Sequence, residues 1–424
     1  MTTLQPAAQA APPAPPSVMR HPGFRRLFTA AAAGKLGTQI GYVAIPLLAV
    51  TTLHAGAGQV GLLATLSTLS FLLIGLPAGA WVDRMRRRRV MVAADLSRGL
   101  LLGSIPVAWL MDSLTMTQLY AVVLLSGVAT VFAEVGQQSY LPQLVDRDQL
   151  PAANSALVSV DALNQLAGRS VGGFLVQLVA APAAIAVNAL TDLWSAAWIA
   201  TIRHPDVRPE RRAQRNLVKE VNEGLRFVLK QPVLRAVATA GAMNNLSIQV
   251  SVTMLPVVFV SELGLSEGVV GLYLAVGGIG VFLGARSSRW IGERLGQGRT
   301  LWILGLAVAP FALLVPLVDR GAGLWLAGLS WLLTTFRVGV NNVIQVSFRQ
   351  RCTPEELLGR MNATMRFLLT GALAVGAALA GGLGAAAGPR AALWAGAIGM
   401  ALVWIPIFLS PLRTLRTWPD ELEN

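Results

Sequence analysis

A single cysteine, Cys352, stands among 424 residues, which excludes an intramolecular disulfide and any multi-cysteine metal site. The three histidines, His21, His54 and His204, lie far apart and have no metal-ligand spacing. No G-x-x-x-x-G-K-[ST] loop is present, so ATP is not expected as an energy source within this chain. Charge is also scarce, at 13% of residues against roughly a quarter in soluble domains. The longest polar break, from Arg203 to Pro232, is too short for a soluble catalytic domain. No nucleophile or metal constellation stands out either, so neither an enzyme with catalytic residues nor a cofactor is expected.

What fills the chain instead is apolar sequence, 54% of the total, in runs of about twenty residues separated by short polar breaks. Backbone groups in lipid must be satisfied within the protein, so runs of this length mean helices. Barrel strands would be shorter and would alternate. Twelve spans are expected, near 26–52, 58–82, 90–111, 116–140, 152–178, 181–202, 233–261, 268–288, 300–319, 323–347, 361–386 and 390–411. The predicted fold is an all-α membrane protein. Its parts are a disordered cytoplasmic tail (1–22), a six-helix bundle (23–202), a cytoplasmic linker (203–232), a second six-helix bundle (233–412) and a cytoplasmic tail (413–424). Within the linker, Leu217, Val218, Val221, Leu225 and Val228 recur at helical spacing among charged residues. That pattern suits a helix at the inner membrane surface or a solvated linker helix.

The net charge of +13 invites a nucleic-acid reading, but its placement argues for another. With the N-terminus inside, 27 of the 34 Lys and Arg residues fall in inner segments, and only Arg320 and Arg390 in outer loops. This is the positive-inside asymmetry of a multi-pass membrane protein with both ends in the cytoplasm. Basic charge then sets topology and meets anionic lipid, and no nucleic-acid partner is expected.

The two halves echo each other. Asn154, Gly168 and Gly173 match Asn362, Gly376 and Gly381 at one fixed offset. Likewise Gly79-x-x-x-Asp83-Arg84 has a degraded partner in Gly284-x-x-x-Ser288-Arg289. Both echoes pair span n with span n+6. Six-helix halves related in this way are a recurrent transporter plan, with the substrate between them.

The stretch Gly79-Ala-Trp-Val-Asp83-Arg84-Met-Arg86-Arg87-Arg88, between spans two and three, resembles the major facilitator signature G-x-x-x-D-R-x-G-R-R, with Arg86 in place of its second glycine. Together with ADLSR at 94–98, it is similar to the efflux branch that includes enterobactin and macrolide exporters. The resemblance implies a cytoplasmic latch formed by Gly79, Asp83 and Arg84, which joins the halves and breaks as the carrier opens inward. Gly79 is expected to allow close helix approach. In the fifth span, Gly168-Arg169-Ser170-Val171-Gly172-Gly173 resembles the exporter motif G-P-x-x-G-G, with arginine replacing proline.

Charges inside spans cost at least ~2.5–3.5 kcal/mol each on insertion scales, so they should face partners or water. Arg98, three residues from Asp95, is expected to form a local ion pair with it. Glu134 and then Asp161 are the candidate proton carriers. Lys35, Gln39, Asn245, Arg337 and Asn341 are the candidate substrate contacts. Mid-membrane charge leans positive through Lys35, Arg169, Arg337 and Arg366, which would favour an anionic substrate if these face the cavity. The function expected is export of a small organic molecule (a drug, siderophore or secondary metabolite) in exchange for protons, by a monomer in the cell membrane. A uniporter or importer of a nutrient is the alternative, and a non-transporting scaffold or sensor a more distant one.

Overall fold

The computed structural model describes residues 18–82, 84–203 and 217–415. Asp83 lies outside them, as do most of the expected N-terminal tail, part of the linker and the end of the C-terminal tail. Every regular element among the described residues is helical. The first group comprises α1 (Pro22–Thr51), α2 (Ala57–Val82), α3 (Arg87–Leu110), α4 (Met116–Leu144), α5 (Leu150–Val179) and α6 (Ala181–Ala200). A shorter helix, α7 (Leu217–Lys230), follows. The second group comprises α8 (Pro232–Pro256), α9 (Glu267–Leu295), α10 (Gln297–Ala312), α11 (Ala322–Arg351), α12 (Glu355–Ala387) and α13 (Pro389–Leu402), the last continued by α14 (Trp404–Phe408).

Regular structure is already present within the last residues of the expected tail, 1–22. Val18–Arg20 form a 3-10 turn with Val18 buried, and His21 caps α1 by accepting the Phe24 amide on Nδ1 at 3.2 Å. Pro22 follows at the first helical position, where its missing N–H costs nothing. Along the chain the helices alternate direction. One end of the molecule therefore carries the start of α1 and the end of α14, and the other (called distal here) carries the short connections after α1, α3, α5, α8, α10 and α12.

Eleven helices are long and apolar enough to cross a membrane among the described residues. The one expected span missing from that number is α5. Its sequence is too polar, because Asn154, Asp161, Asn164, Gln165, Arg169 and Gln177 are spread along it. Several of these side chains are turned toward protein: Asn164 donates to the Ala32 carbonyl at 2.9 Å, and Arg169 to Gln39 at 3.2 Å. The linker helix α7 lies against α12. Val228 is fully buried among Leu234, Met361 and Met365, and Arg360 pairs with Glu223 at 2.8 Å.

The two helix groups meet along two seams, α2 against α12 and α5 against α9. Both are glycine crossings in the distal part of these helices. A methyl group added to Gly173 would lie 2.6 Å from the Gly271 Cα, and one added to Gly381 would lie 3.0 Å from the Gly61 Cα. Gly173 and Gly381 are the pair matched by the sequence echo, and they occupy equivalent places in the two seams. The echo holds one step earlier too, where Gly168 packs on Gln39 of α1 and Gly376 on Leu246 of α8. It also reaches the tight turns, since Ala180 and Gly388 stand at the same offset and both adopt positive φ, +71° and +89°. Only such backbone lets α6 start immediately after α5, and α13 after α12.

Gly79 behaves differently from the expectation. A methyl group there would meet nothing within 4 Å, so it is not a point of close helix approach in this structure. Arg84 is exposed.

Overpacking at a tight site costs about 1–3 kcal/mol. Gly61→Leu and Gly173→Leu are therefore expected to lower the melting temperature of the detergent-solubilised protein, whereas Gly79→Ala leaves it within error of the parent. Equal melting temperatures for all three variants would mean that the seams do not hold the halves together.

Candidate functional site

Below the seams the halves enclose a cavity of about 510 Å³, within the range of small-molecule sites. Its walls come from α1 to α4 and α6 on one side and from α8, α9 and α12 on the other. They are mostly apolar, with Val60, Leu63, Leu102, Val123, Val252 and Leu274 among them, and Tyr42 and Phe71 supply aromatic surface. Neutral polar groups are present as Thr38, Thr130, Asn188, Gln249 and Thr253. The charged side chains in the wall are Arg98, Glu134 and Arg366.

Glu134, on α4, is the centre of the first charge cluster. Lys35 of α1 donates to its Oε1 at 3.2 Å, and Arg366 of α12 donates to its Oε2 at 3.4 Å. Lys35 also lies 3.8 Å from Asp161 of α5, whose other oxygen accepts from Gln165 at 3.1 Å. The cluster holds two acids and two bases, so it is neutral when all four are ionised. Its side chains are between a quarter and a half exposed, so water reaches them. The Arg366 guanidinium also stands 5.4 Å from the Phe71 ring centroid, a cation–π contact. The Glu134–Arg366 pair crosses from one half of the molecule to the other.

A second cluster is buried within the first half. Arg98 and Asp95 of α3 form the expected local pair at 3.7 Å. Arg98 lies nearer to Asp192 of α6, at 3.2 Å, and donates to the Thr38 hydroxyl of α1 at 2.8 Å. The Ser195 hydroxyl donates to Asp95 at 2.7 Å. A side chamber of about 50 Å³ touches both clusters, and Thr38, Arg98, Thr130 and Glu134 line it as well as the main cavity.

The residues expected from sequence divide accordingly. Lys35, Glu134 and Asp161 come together. Gly168 and Gly172 of the fifth-helix motif pack on α1, at Gln39 and the Ile40 backbone, while Gly173 packs on α9. Arg169 binds Gln39 and covers the Tyr42 ring at 4.6 Å. The substrate contacts need correction. Lys35 lines only the side chamber, and Gln39, Asn245, Arg337 and Asn341 line neither space. Asn245 is engaged with the Leu369 carbonyl at 3.1 Å. Arg337 and Asn341 share one face of α11 and are buried inside the second half, where Arg337 donates to Asn244 at 2.8 Å. With Arg169 and Arg337 spent on such partners and Lys35 in the side chamber, Arg366 alone of the four cations behind the expected positive lean lines the main cavity. Among the described residues, no group of three or more His, Cys, Asp or Glu could hold a metal ion.

Comparison with known proteins agrees with this architecture. Residues 12–421 match the family described as transmembrane secretion effector. The chain is 30% identical to the multidrug efflux pump Tap of Mycolicibacterium fortuitum over 408 residues, covering 93% of this chain and 97% of that protein. It is 25% identical to the enterobactin exporter EntS of Escherichia coli over 421 residues, 95% of each chain. Among solved structures, a bacterial homologue of the iron transporter ferroportin in its inward-facing state superposes with a TM-score of 0.70 at 17% identity, covering 92% of this chain and 98% of that one. The nucleoside transporter NupG gives 0.70 at 11% identity, covering 92% and 99%. These last two likenesses concern the fold alone. With its helical halves, its central cavity and a family match across nearly its whole length, this chain is a multi-pass membrane transporter of the major facilitator superfamily and belongs to the transmembrane secretion effector family.

Proposed function

We propose that the protein exports a small organic molecule (a drug, siderophore or secondary metabolite) in exchange for protons, by alternating access of two six-helix halves. The names of its efflux relatives support the direction. The observation that carries the coupling is the Glu134–Arg366 pair, which ties a titratable group in one half to a cation in the other at the polar end of the cavity. A proton on Glu134 removes the charge that holds Arg366 and weakens that bond between the halves. Asp161, sharing Lys35 with Glu134, is the second carrier.

In this reading α5 is the twelfth span. Its polar side chains are tolerable in a membrane because protein, not lipid, faces many of them. The positive-inside asymmetry puts the chain termini in the cytoplasm. The distal seams then close the outer side, the cavity faces inward, and the linker helix α7 lies on the cytoplasmic end of α12. The latch of Gly79, Asp83 and Arg84 acts at that same end, in the opposite, outward-facing state. The protein works as a monomer in a lipid bilayer. Apolar walls with charge gathered at one end suit a substrate with a large apolar body and one polar or charged pole.

Two measurements test this. In cells stripped of their own efflux pumps, a panel of antibiotics, cationic dyes and siderophores should contain a compound that leaves only while the proton gradient stands. Loss of a coupling of the usual 1–3 kcal/mol should make Glu134→Gln about 5–150-fold slower in that efflux. Movement that persists with a protonophore, or that runs inward, replaces the exporter with a uniporter or importer. For sidedness, Thr68→Cys in a Cys352→Ser background puts one thiol on the cavity wall. It should react with a membrane-impermeant maleimide faster in inside-out vesicles than in intact cells. The reverse order would mean that the cavity faces outward.

A further inference from the structure

The buried cluster of Asp95, Arg98 and Asp192 has more acid than base. Asp192 is fully buried, while Asp95 and Arg98 are 6% and 7% exposed. Arg98 divides its single positive charge between two carboxylates, at 3.7 and 3.2 Å. Asp95 is further satisfied by the Ser195 hydroxyl. Asp192 has no such help: the guanidinium stands at ion-pair distance from Oδ1, but neither oxygen accepts a hydrogen bond. The N–H that might have reached it is directed at Thr38 instead.

The other charged groups that face this site from neighbouring helices are Lys35 of α1 and Glu134 of α4, both in the wall of the side chamber. Lys35 is already held by Glu134 and Asp161, and Glu134 adds negative charge. With all groups ionised, the inner cluster would therefore keep one uncompensated negative charge deep in the first half. An uncompensated buried charge costs several kcal/mol, whereas one bound proton removes it. A proton also turns one carboxyl into a donor, and so gives the two acids a means of being satisfied by their neighbours.

We propose that Asp95 and Asp192 share one bound proton, with Arg98 balancing the remaining charge, so that the first half contains an interior proton site separate from Glu134. The step is a simple protonation: a carboxylate oxygen takes a proton delivered by water, and no other bond changes. Delivery runs through the side chamber. Its volume of about 50 Å³ is more than the roughly 30 Å³ that one water occupies in the liquid, and its wall offers Thr130, Gln137 and Ser195 as hydrogen-bonding partners. The chamber meets the water-reached cluster at Lys35 and Glu134 and reaches Asp95 directly, whereas Asp192 does not line it and is paired with Arg98. Use of this proton in transport rests on the proposed proton coupling, but its presence does not.

The site is tested by infrared spectroscopy of the purified full-length protein in lipid nanodiscs at neutral pH, where ordinary carboxylates are ionised. Wild-type protein should show the carbonyl stretch of a protonated carboxyl, and this band should move in D2O because the chamber connects the site to solvent. Asp192→Asn and Asp95→Asn should each remove the band, since one acid and one guanidinium then balance, while Glu134→Gln should keep it. Both aspartate variants are nearly isosteric, and a cooperative thermal transition establishes that each is folded. A wild-type spectrum without the band, or a band that survives in both aspartate variants, overturns the proposal. A band that ignores D2O overturns the chamber route. Because no transported compound enters the measurement, the proton site and the coupling reading fail separately: efflux that ignores the proton gradient defeats the second and leaves the spectrum unaffected.

Discussion

Two places where backbone meets backbone hold this molecule together. Helices in lipid gain little from burying apolar side chains against one another, because lipid is as apolar as they are. Association instead comes from close packing, and glycine permits the closest. Gly61 against Gly381, and Gly173 against Gly271, bring the two halves into contact near the distal end. The halves diverge from these crossings, and the cavity is the space that divergence leaves. A transporter that alternates must break such contacts as a unit, so it is consistent that they are few, short and matched between the halves. The internal repeat makes the two crossings equivalent.

Electrostatics follow from that geometry. Ionised groups at membrane depth need partners or water. The four charges around Glu134 have both, because the cavity admits solvent and the cluster sums to zero. The three around Arg98 have neither water in quantity nor a balanced sum. A protein gains nothing in stability from burying two acids against one base in a dry helix interface, where apolar side chains would pack at no such cost. The arrangement is also lopsided. The first half supplies Lys35, Asp95, Arg98, Glu134, Asp161 and Asp192, whereas the second offers Arg366 to the cavity and keeps Arg337 buried beside Asn244. The acids of both clusters therefore belong to one half, and Arg366 is the charge through which the other half meets them.

Much of the architecture was legible in the sequence, because the length of an apolar run and the placement of arginine are imposed by the bilayer itself. Helix positions followed from that, and the echo of Gly173 and Gly381 marked the duplication, though not that both lie in the seams. Lys35, Glu134 and Asp161 stood out singly, as charges inside spans whose insertion cost demands partners or water, but their pairing came only with the structure. Rotation of a helix about its axis was not legible. Arg337 and Asn341 lie at the right depth for a substrate contact, but the face they share is turned into the second half, and nothing in the local sequence of α11 fixes that turn. Arg98 was read through its neighbour in sequence, Asp95, when its nearer acid is Asp192, some ninety residues away on α6. The signal available was the coincidence of three charges in two spans whose insertion cost demands a common solution.

The arginine at position 169 has a consequence for where the protein can bend. A proline there would delete one backbone hydrogen bond and weaken the helix. With Arg169 the fifth helix runs without interruption from Leu150 to Val179, and the side chain is anchored by Gln39 and the Tyr42 ring. The glycines at 168, 172 and 173 then serve packing on α1 and α9 and are not needed for a kink. Prolines beside the cavity occur in α1 and α8, as Pro46 and Pro256, on helices that correspond in the two halves. After Pro256 the chain widens into a π-helical turn, Val257–Glu262, where the regular i→i+4 ladder is already broken. Proline breaks in the cavity wall itself therefore lie in α1 and α8, while Pro77, Pro106 and Pro142 interrupt α2, α3 and α4 away from it. The helices of the two seams, α5 with α9 and α2 with α12, keep their close crossings, and α5 in particular carries motion as an unbroken rod. Under the proposed coupling, Glu134 would take its proton at the polar end of the cavity, while Pro46 and Pro256 mark where the cavity walls can bend.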